Sequence, residues 1–163
     1  YPQSYNIENV KFLEDSTFVL FSNMGKVFIS EKSITNSFTN LSANYRIDDF
    51  PNSNCIGTSF FDANNDGIKD LIVFNSTYGN YLSLFQGVKN SAFANITSIT
   101  NLPFNENPIL LYAISDFNKD NFNDIILQTK IDSLHKLLLY KNLGNFKFEK
   151  SEAQKGIAQA INF

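Results

Sequence analysis

DANNDGIKDLIV, residues 62–73, carries carboxylate or amide side chains at Asp62, Asn64, Asp66 and Asp70 and then enters an apolar run. A glycine, Gly67, follows the third of these side chains. A second stretch, DFNKDNFND at 116–124, repeats the spacing with Asp116, Asn118, Asp120 and Asp124, and it too leads into an apolar run, IIL. The final aspartates of the two stretches, Asp70 and Asp124, lie 54 positions apart. Two such coincidences in one chain direct the reading to internal repetition before any other motif.

Working outward, other markers keep the same interval. Stepping back 55 from Asp70 reaches Asp15, which precedes STFVLF. Phe38, Phe93 and Phe148 are related by the same step, as are Asn40 and Asn95. Between them lie KVFIS, YLSLF and KLLLYK, each a β-rich run after a turn-like segment. Three tandem copies follow, at about 1–55, 56–110 and 111–163. Each holds about four short strand candidates between Asn-, Ser- and Gly-rich turns, with little helical periodicity. In the middle copy these are 58–61, 71–74, 81–85 and a shorter one near Phe93. The strand after each acidic loop is continuously apolar, as expected where both faces are covered. Four strands in some 40–60 residues is the size of a propeller blade. The expectation is an all-β fold of about three four-stranded antiparallel repeats. Three blades do not close a ring, so the chain reads as a section of a larger β-propeller, or as one that assembles in copies around an axis.

The acidic loops suit a hard cation. Calcium takes six to eight oxygens from carboxylates, amides, backbone carbonyls and water. Ligands at positions 1, 3 and 5 of a curled loop point inward together, position 7 offers a backbone carbonyl (Ile68 or Phe122), and position 9 adds a last carboxylate as the strand begins. The sharp turn at position 6 is met by Gly67 in one loop and by Asn121 in the other, the residue after glycine most tolerant of a left-handed backbone. Position 12 holds Val73 or Leu127 rather than glutamate, and helical flanks are lacking, so neither loop is an EF-hand. In the N-terminal copy the constant offset places Ile7, Asn9, Lys11 and Asp15 at the ligand positions, and that copy is expected to be metal-free.

DANNDGIKDLIV resembles the FG-GAP repeat of integrin α-subunit propellers and the related VCBS repeats. Gly57 in IGTSFFD fits the small-residue position before that motif. LLLYKNLGNFKFEKSEAQKGI, 137–157, is similar to the outer part of VCBS blades, with Asn142, Gly144 and Phe148 in place. The resemblance covers most of 57–157. It implies propeller blades, usually seven, with a structural calcium ion in the loop joining the first two strands. It assigns Asp62, Asn64, Asp66, Ile68 and Asp70 to one ion, and Asp116, Asn118, Asp120, Phe122 and Asp124 to the second.

Composition narrows the function classes. The 163 residues include 17 phenylalanines and carry a net charge of −3 with no basic cluster, which gives nucleic acid or an acidic membrane little to bind. The longest apolar runs are too short to span a bilayer as helices. The chain opens on Tyr1 with no visible signal peptide, which fits a mature or excised piece of a longer chain. Cys55 is the single cysteine, so no internal disulfide forms. Sequons at Asn40, Asn75 and Asn95 permit a secretory route. His135 is the single histidine and reads as a surface or edge residue, and Glu31, Glu106 and Glu149 are isolated; catalysis from this segment is not expected.

The leading expectation is a calcium-binding, non-enzymatic module for protein interaction or adhesion, at the cell surface, outside the cell or in the secretory lumen. The integrin α-subunits and the T-cell immunomodulatory protein family are the cell-surface examples of the resemblance. A lectin-like propeller is the alternative, with Tyr78, Tyr81 and Tyr112 as stacking faces in a chain without tryptophan. A further alternative is the non-catalytic blades of a secreted polysaccharide-degrading enzyme.

Overall fold

The computed structural model describes residues 55–75, 81–89, 93–131 and 134–152, together with the backbone of the strands before residue 41. The architecture is all-β. Among the described residues, twelve strands form three four-stranded sheets, each a meander in which sequence neighbours pair antiparallel. The first sheet contains β1 (Ile7–Phe12), β2 (Thr17–Ser22), β3 (Val27–Lys32) and β4 (Phe38–Asn40). The second contains β5 (Cys55–Phe61), β6 (Asp70–Asn75), β7 (Leu82–Gln86) and β8 (Ala94–Asn95), followed by a single 3-10 turn at Thr97–Ile99. The third contains β9 (Ile109–Ser115), β10 (Asp124–Ile131), β11 (Leu134–Asn142) and β12 (Phe148–Glu152). Each sheet is open, with its first and last strands at the edges.

The four strand candidates of the middle copy correspond to β5–β8: β5 begins three residues earlier, β6 is one residue longer at each end, β7 is shifted by one residue, and β8 starts just after Phe93. The recurring phenylalanines mark one structural position: Phe38 and Phe148 open β4 and β12, and Phe93 immediately precedes β8. The apolar run of β6 is buried along its whole length, and Ile125, Ile126 and Leu127 of β10 are buried likewise. A strand with both pleat faces covered has no solvent side on which to alternate polar residues, hence LIVF and IIL.

One core joins the second and third sheets. Ile72, Phe74, Leu82 and Leu84 on one side meet Ile125, Leu127, Leu138 and Tyr140 on the other. The closest joint is at Tyr112 of β9. Its ring stacks on Phe74 with centroids 3.9 Å apart, and its hydroxyl donates to the Thr58 carbonyl at 3.0 Å. A Cβ at Gly57 would lie 2.6 Å from that hydroxyl oxygen and 2.7 Å from Cε1. Gly57 therefore lacks a side chain because the neighbouring sheet's tyrosine occupies that space. β5 also lies beside β1 and β2.

The N-terminal copy departs from the register expected for it. Ile7, Asn9 and Lys11 lie on β1, not in a loop, and only residues 13–16 connect β1 to β2, against 62–69 and 116–123 in the other copies. Asp15 sits just before β2, whereas Asp70 and Asp124 open their strands. The 55-residue offset holds from the third strand, Val27 to Leu82, and fails for β1 and the loop after it, because the first connection is several residues shorter.

Candidate metal centre

The two acidic stretches join the first and second strands of consecutive sheets, and they have the same internal wiring. Asp62 and Asp116 each accept two backbone N–H groups, from Asp66 (3.1 Å) and Gly67 (2.7 Å) in one loop and from Asp120 (3.1 Å) and Asn121 (2.9 Å) in the other. The side-chain oxygens of Asn64 and Asn118 accept the same Asp66 and Asp120 N–H groups. Their side-chain nitrogens donate to the carboxylates of Asp66 and Asp120 at 2.8 and 2.7 Å. Asp66 and Asp120 in turn accept from the N–H of Ile68 and Phe122 at 2.8 and 2.9 Å. These are nested Asx turns, in which side-chain oxygens gather the amides of a curl too tight to hydrogen-bond itself.

The curl needs two left-handed residues per loop. They are Asn65 (φ 64°) and Gly67 (φ 82°) in the first, Lys119 (φ 62°) and Asn121 (φ 71°) in the second. Asn121 does adopt the backbone that its place at position 6 requires.

Asp70 and Asp124 have a different setting from the other loop carboxylates. Both are fully buried. Asp70 accepts the Ala63 N–H at 2.8 Å and, from the end of β7, the Gly87 N–H at 2.8 Å. Asp124 accepts the Phe117 N–H at 3.3 Å and the Asn142 N–H at 2.9 Å. Each thus ties the loop's first turn to the third strand of its sheet. Burial pushes the Asp70 carboxyl up to about 6, against the pull of its two amide donors and helped by the charges of Asp66 and Asp62. The Asp124 carboxyl is raised for the same reasons, burial first, with Asp120 and Asp116 as the neighbouring charges.

Ten residues were assigned to the two ions from sequence. Positions 1, 3 and 5 of each loop (Asp62, Asn64, Asp66; Asp116, Asn118, Asp120) come together in one hydrogen-bonded curl. Ile68 and Phe122 enter it through their N–H groups. Asp70 and Asp124 lie beneath it, near enough to Asp62/Asp66 and Asp116/Asp120 for the charges to be felt. As the side chains lie, no three carboxylate, histidine or cysteine groups among the described residues stand close enough to hold one ion. The donor set still suits a hard cation. Every side-chain acceptor is an oxygen, and a carboxylate oxygen that accepts one N–H retains lone-pair capacity. A carboxylate raised by burial, with two neighbouring negative charges adding to the shift, is the electrostatic setting that a divalent cation relieves.

Residues outside the loops are accounted for by packing or exposure. Tyr81 is buried, with its N–H donated to the Phe104 carbonyl, and Tyr112 is held against Phe74, so neither ring offers an open face to a sugar. Tyr78 lies outside the described residues. His135 is exposed on β11, and Glu106 and Glu149 are exposed. Among the sequons, Asn75 is fully buried at the end of β6, while Asn95 is exposed and accepts the Thr97 N–H. No helix among the described residues is long and apolar enough to cross a membrane.

The sequence missed the role of Asn142. Its side-chain nitrogen donates both to the Ala63 carbonyl in the first loop (3.0 Å) and to the Asn123 carbonyl in the second (3.1 Å), and its oxygen accepts the Gly144 N–H at 2.9 Å. The contact with Ala63 spans 79 positions and leaves no local sequence signal.

Compared with known proteins, the chain matches no protein-family model, and no curated protein is similar enough to count as a relative.

Proposed function

We propose that the chain is a calcium-binding section of a β-propeller of FG-GAP/VCBS type, acting outside the cell or at its surface as a non-enzymatic protein-interaction or adhesion module. The observation that carries this reading is the duplicate: two loops one sheet apart, with the same side chains at the same spacing, the same wiring and the same buried closing aspartate. Solvated turns have no need of a buried carboxylate beneath them. Asp62, Asn64, Asp66, Ile68 and Asp70 would hold one ion and Asp116, Asn118, Asp120, Phe122 and Asp124 the other. The ion would supply positive charge where three carboxylates crowd, offsetting repulsion and desolvation worth several kcal/mol. Stacked four-stranded meanders joined by apolar faces are the arrangement that blades require. The role is structural: calcium stiffens the connections between strands, and the display of the loops to a protein partner depends on that stiffness.

Titration calorimetry with calcium tests the metal half. Two equivalents are expected for the chain, and one each for Asp66→Ala and Asp120→Ala. An absence of heat with all three proteins would end the calcium assignment. Binding to intact cells tests the interaction half. Calcium-dependent retention that disappears when surface protein is stripped by protease supports it. Retention on stripped cells, or hits on a glycan array, would transfer the function to the lectin alternative.

A further inference from the structure

We infer that Asn142 couples the two acidic loops, so that order imposed on one is passed to the other; the calcium arm of this inference rests on the metal reading above. Asn142 is buried, 1% exposed, and its hydrogen bonds go to both loops. Its backbone N–H binds the closing carboxylate of the second loop, Asp124. One side-chain N–H holds the Asn123 carbonyl, in the peptide unit that leads into Asp124. The other holds the Ala63 carbonyl, in the peptide unit that leads into Asn64 of the first loop. Ala63 itself is fully buried and donates its N–H to Asp70. A continuous path therefore runs from one closing aspartate through Ala63 and Asn142 to the other. All its members are buried, where an unmade hydrogen bond is costly and a displaced partner must be followed.

The repeat itself shows that this side chain is not a general requirement of the sheet. The place of the Asn142 N–H is taken in the second sheet by the Gly87 N–H on Asp70. A Cβ at Gly87 would collide with the Lys69 carbonyl oxygen, so no side chain reaches out from there. The sheet preceding it has no nine-residue acidic loop to reach, only the 13–16 connection. The bridging amide is present between the two acidic loops and absent beside the copy that lacks one. Coupling of this kind is reciprocal: the factor by which one loop's occupancy favours the other must equal the reverse factor.

The test is a double-mutant cycle on the whole chain with calcium as the probe. Asp120→Ala disables the second loop; its effect on calcium affinity at the first is measured with Asn142 present and with Asn142→Ser, and a second series uses Asn142→Ala. With Asn142 present, disabling the second loop should weaken the first about fivefold. With either substitution, the same change should have almost no effect on the first loop. A purely structural role would lower both affinities and leave the fivefold factor intact, and that result, or independent loops in the wild type, would overturn the inference. Amide exchange in chelator supplies a readout without calcium. Asn142→Ser should speed exchange at 66–68 of the first loop, 74 or more positions away, while Leu84 in β7 is unaffected. No calcium binding by the wild type together with faster exchange at 66–68 would sink the metal reading and keep the clamp; unchanged exchange there would sink the clamp.

Discussion

Asp70 and Asp124 each tie a loop to the end of the third strand of its sheet, and in the proposed calcium site each would also be the last oxygen donor of its loop. At Asp70 the buried carboxyl titrates near 6 rather than at the ordinary 3.8. The folded chain then holds this proton over a range in which the unfolded chain has released it, so the group's contribution to stability falls as pH rises from about 4 to about 6. In chelator, wild type should lose stability relative to Asp70→Asn across that interval, measured by urea midpoints. Calcium, which favours the ionised form, should flatten or invert the slope. At pH 7 with calcium present, Asp70→Asn should cost about 1–3 kcal/mol, because an amide –NH2 now faces a backbone donor. Gly57 is a second residue set by its neighbour. Gly57→Ala drives a methyl group against the hydroxyl end of the Tyr112 ring, which is backed by Phe74 and held by the bond to Thr58. A loss of about 1–3 kcal/mol in chemical denaturation is expected.

The loop is the element in which sequence and backbone agree most closely. Gly67 has a φ of 82° with open space around its Cα, so the penalty of Gly67→Ala is conformational alone, about 1–2 kcal/mol, and should appear as a lowered melting temperature. Asn121→Gly should be neutral or mildly stabilising for the converse reason. The loops were legible because one residue's neighbours decide them: alternating Asp and Asn side chains gather amides two, four and five positions away, and that spacing is written in the chain. Strands β6 and β10 were legible through the continuous apolar runs LIVF and IIL. The loop expected in the N-terminal copy was misplaced because Ile7, Asn9 and Lys11 were put in register by a fixed interval, while β1 runs through them and the connection after it is short. The partners of Gly57 and Asn142 could not be read, since Tyr112 and Ala63 are reached only after the sheets have stacked. Gly57 did stand out as a small residue before a strand, and the reason for it lies 55 positions away.

For the molecule as a whole, the second sheet shares a core with the third and has β5 beside β1 and β2 of the first. Calcium in this setting would bind the folded chain and not the unfolded one, so its effect scales with occupancy. At a concentration a hundredfold above the dissociation constant, each site adds about 2.7 kcal/mol. For a chain of this size that raises the melting temperature by roughly 5–10 °C per site. The measurement that addresses the central proposition most directly is therefore thermal unfolding of the chelator-treated chain, with and without millimolar calcium, beside Asp66→Ala, Asp120→Ala and the double variant. Stepwise loss of the calcium shift, full in wild type, partial in either single variant and nil in the double, is the predicted result. A wild-type melting temperature that calcium leaves unchanged would contradict it.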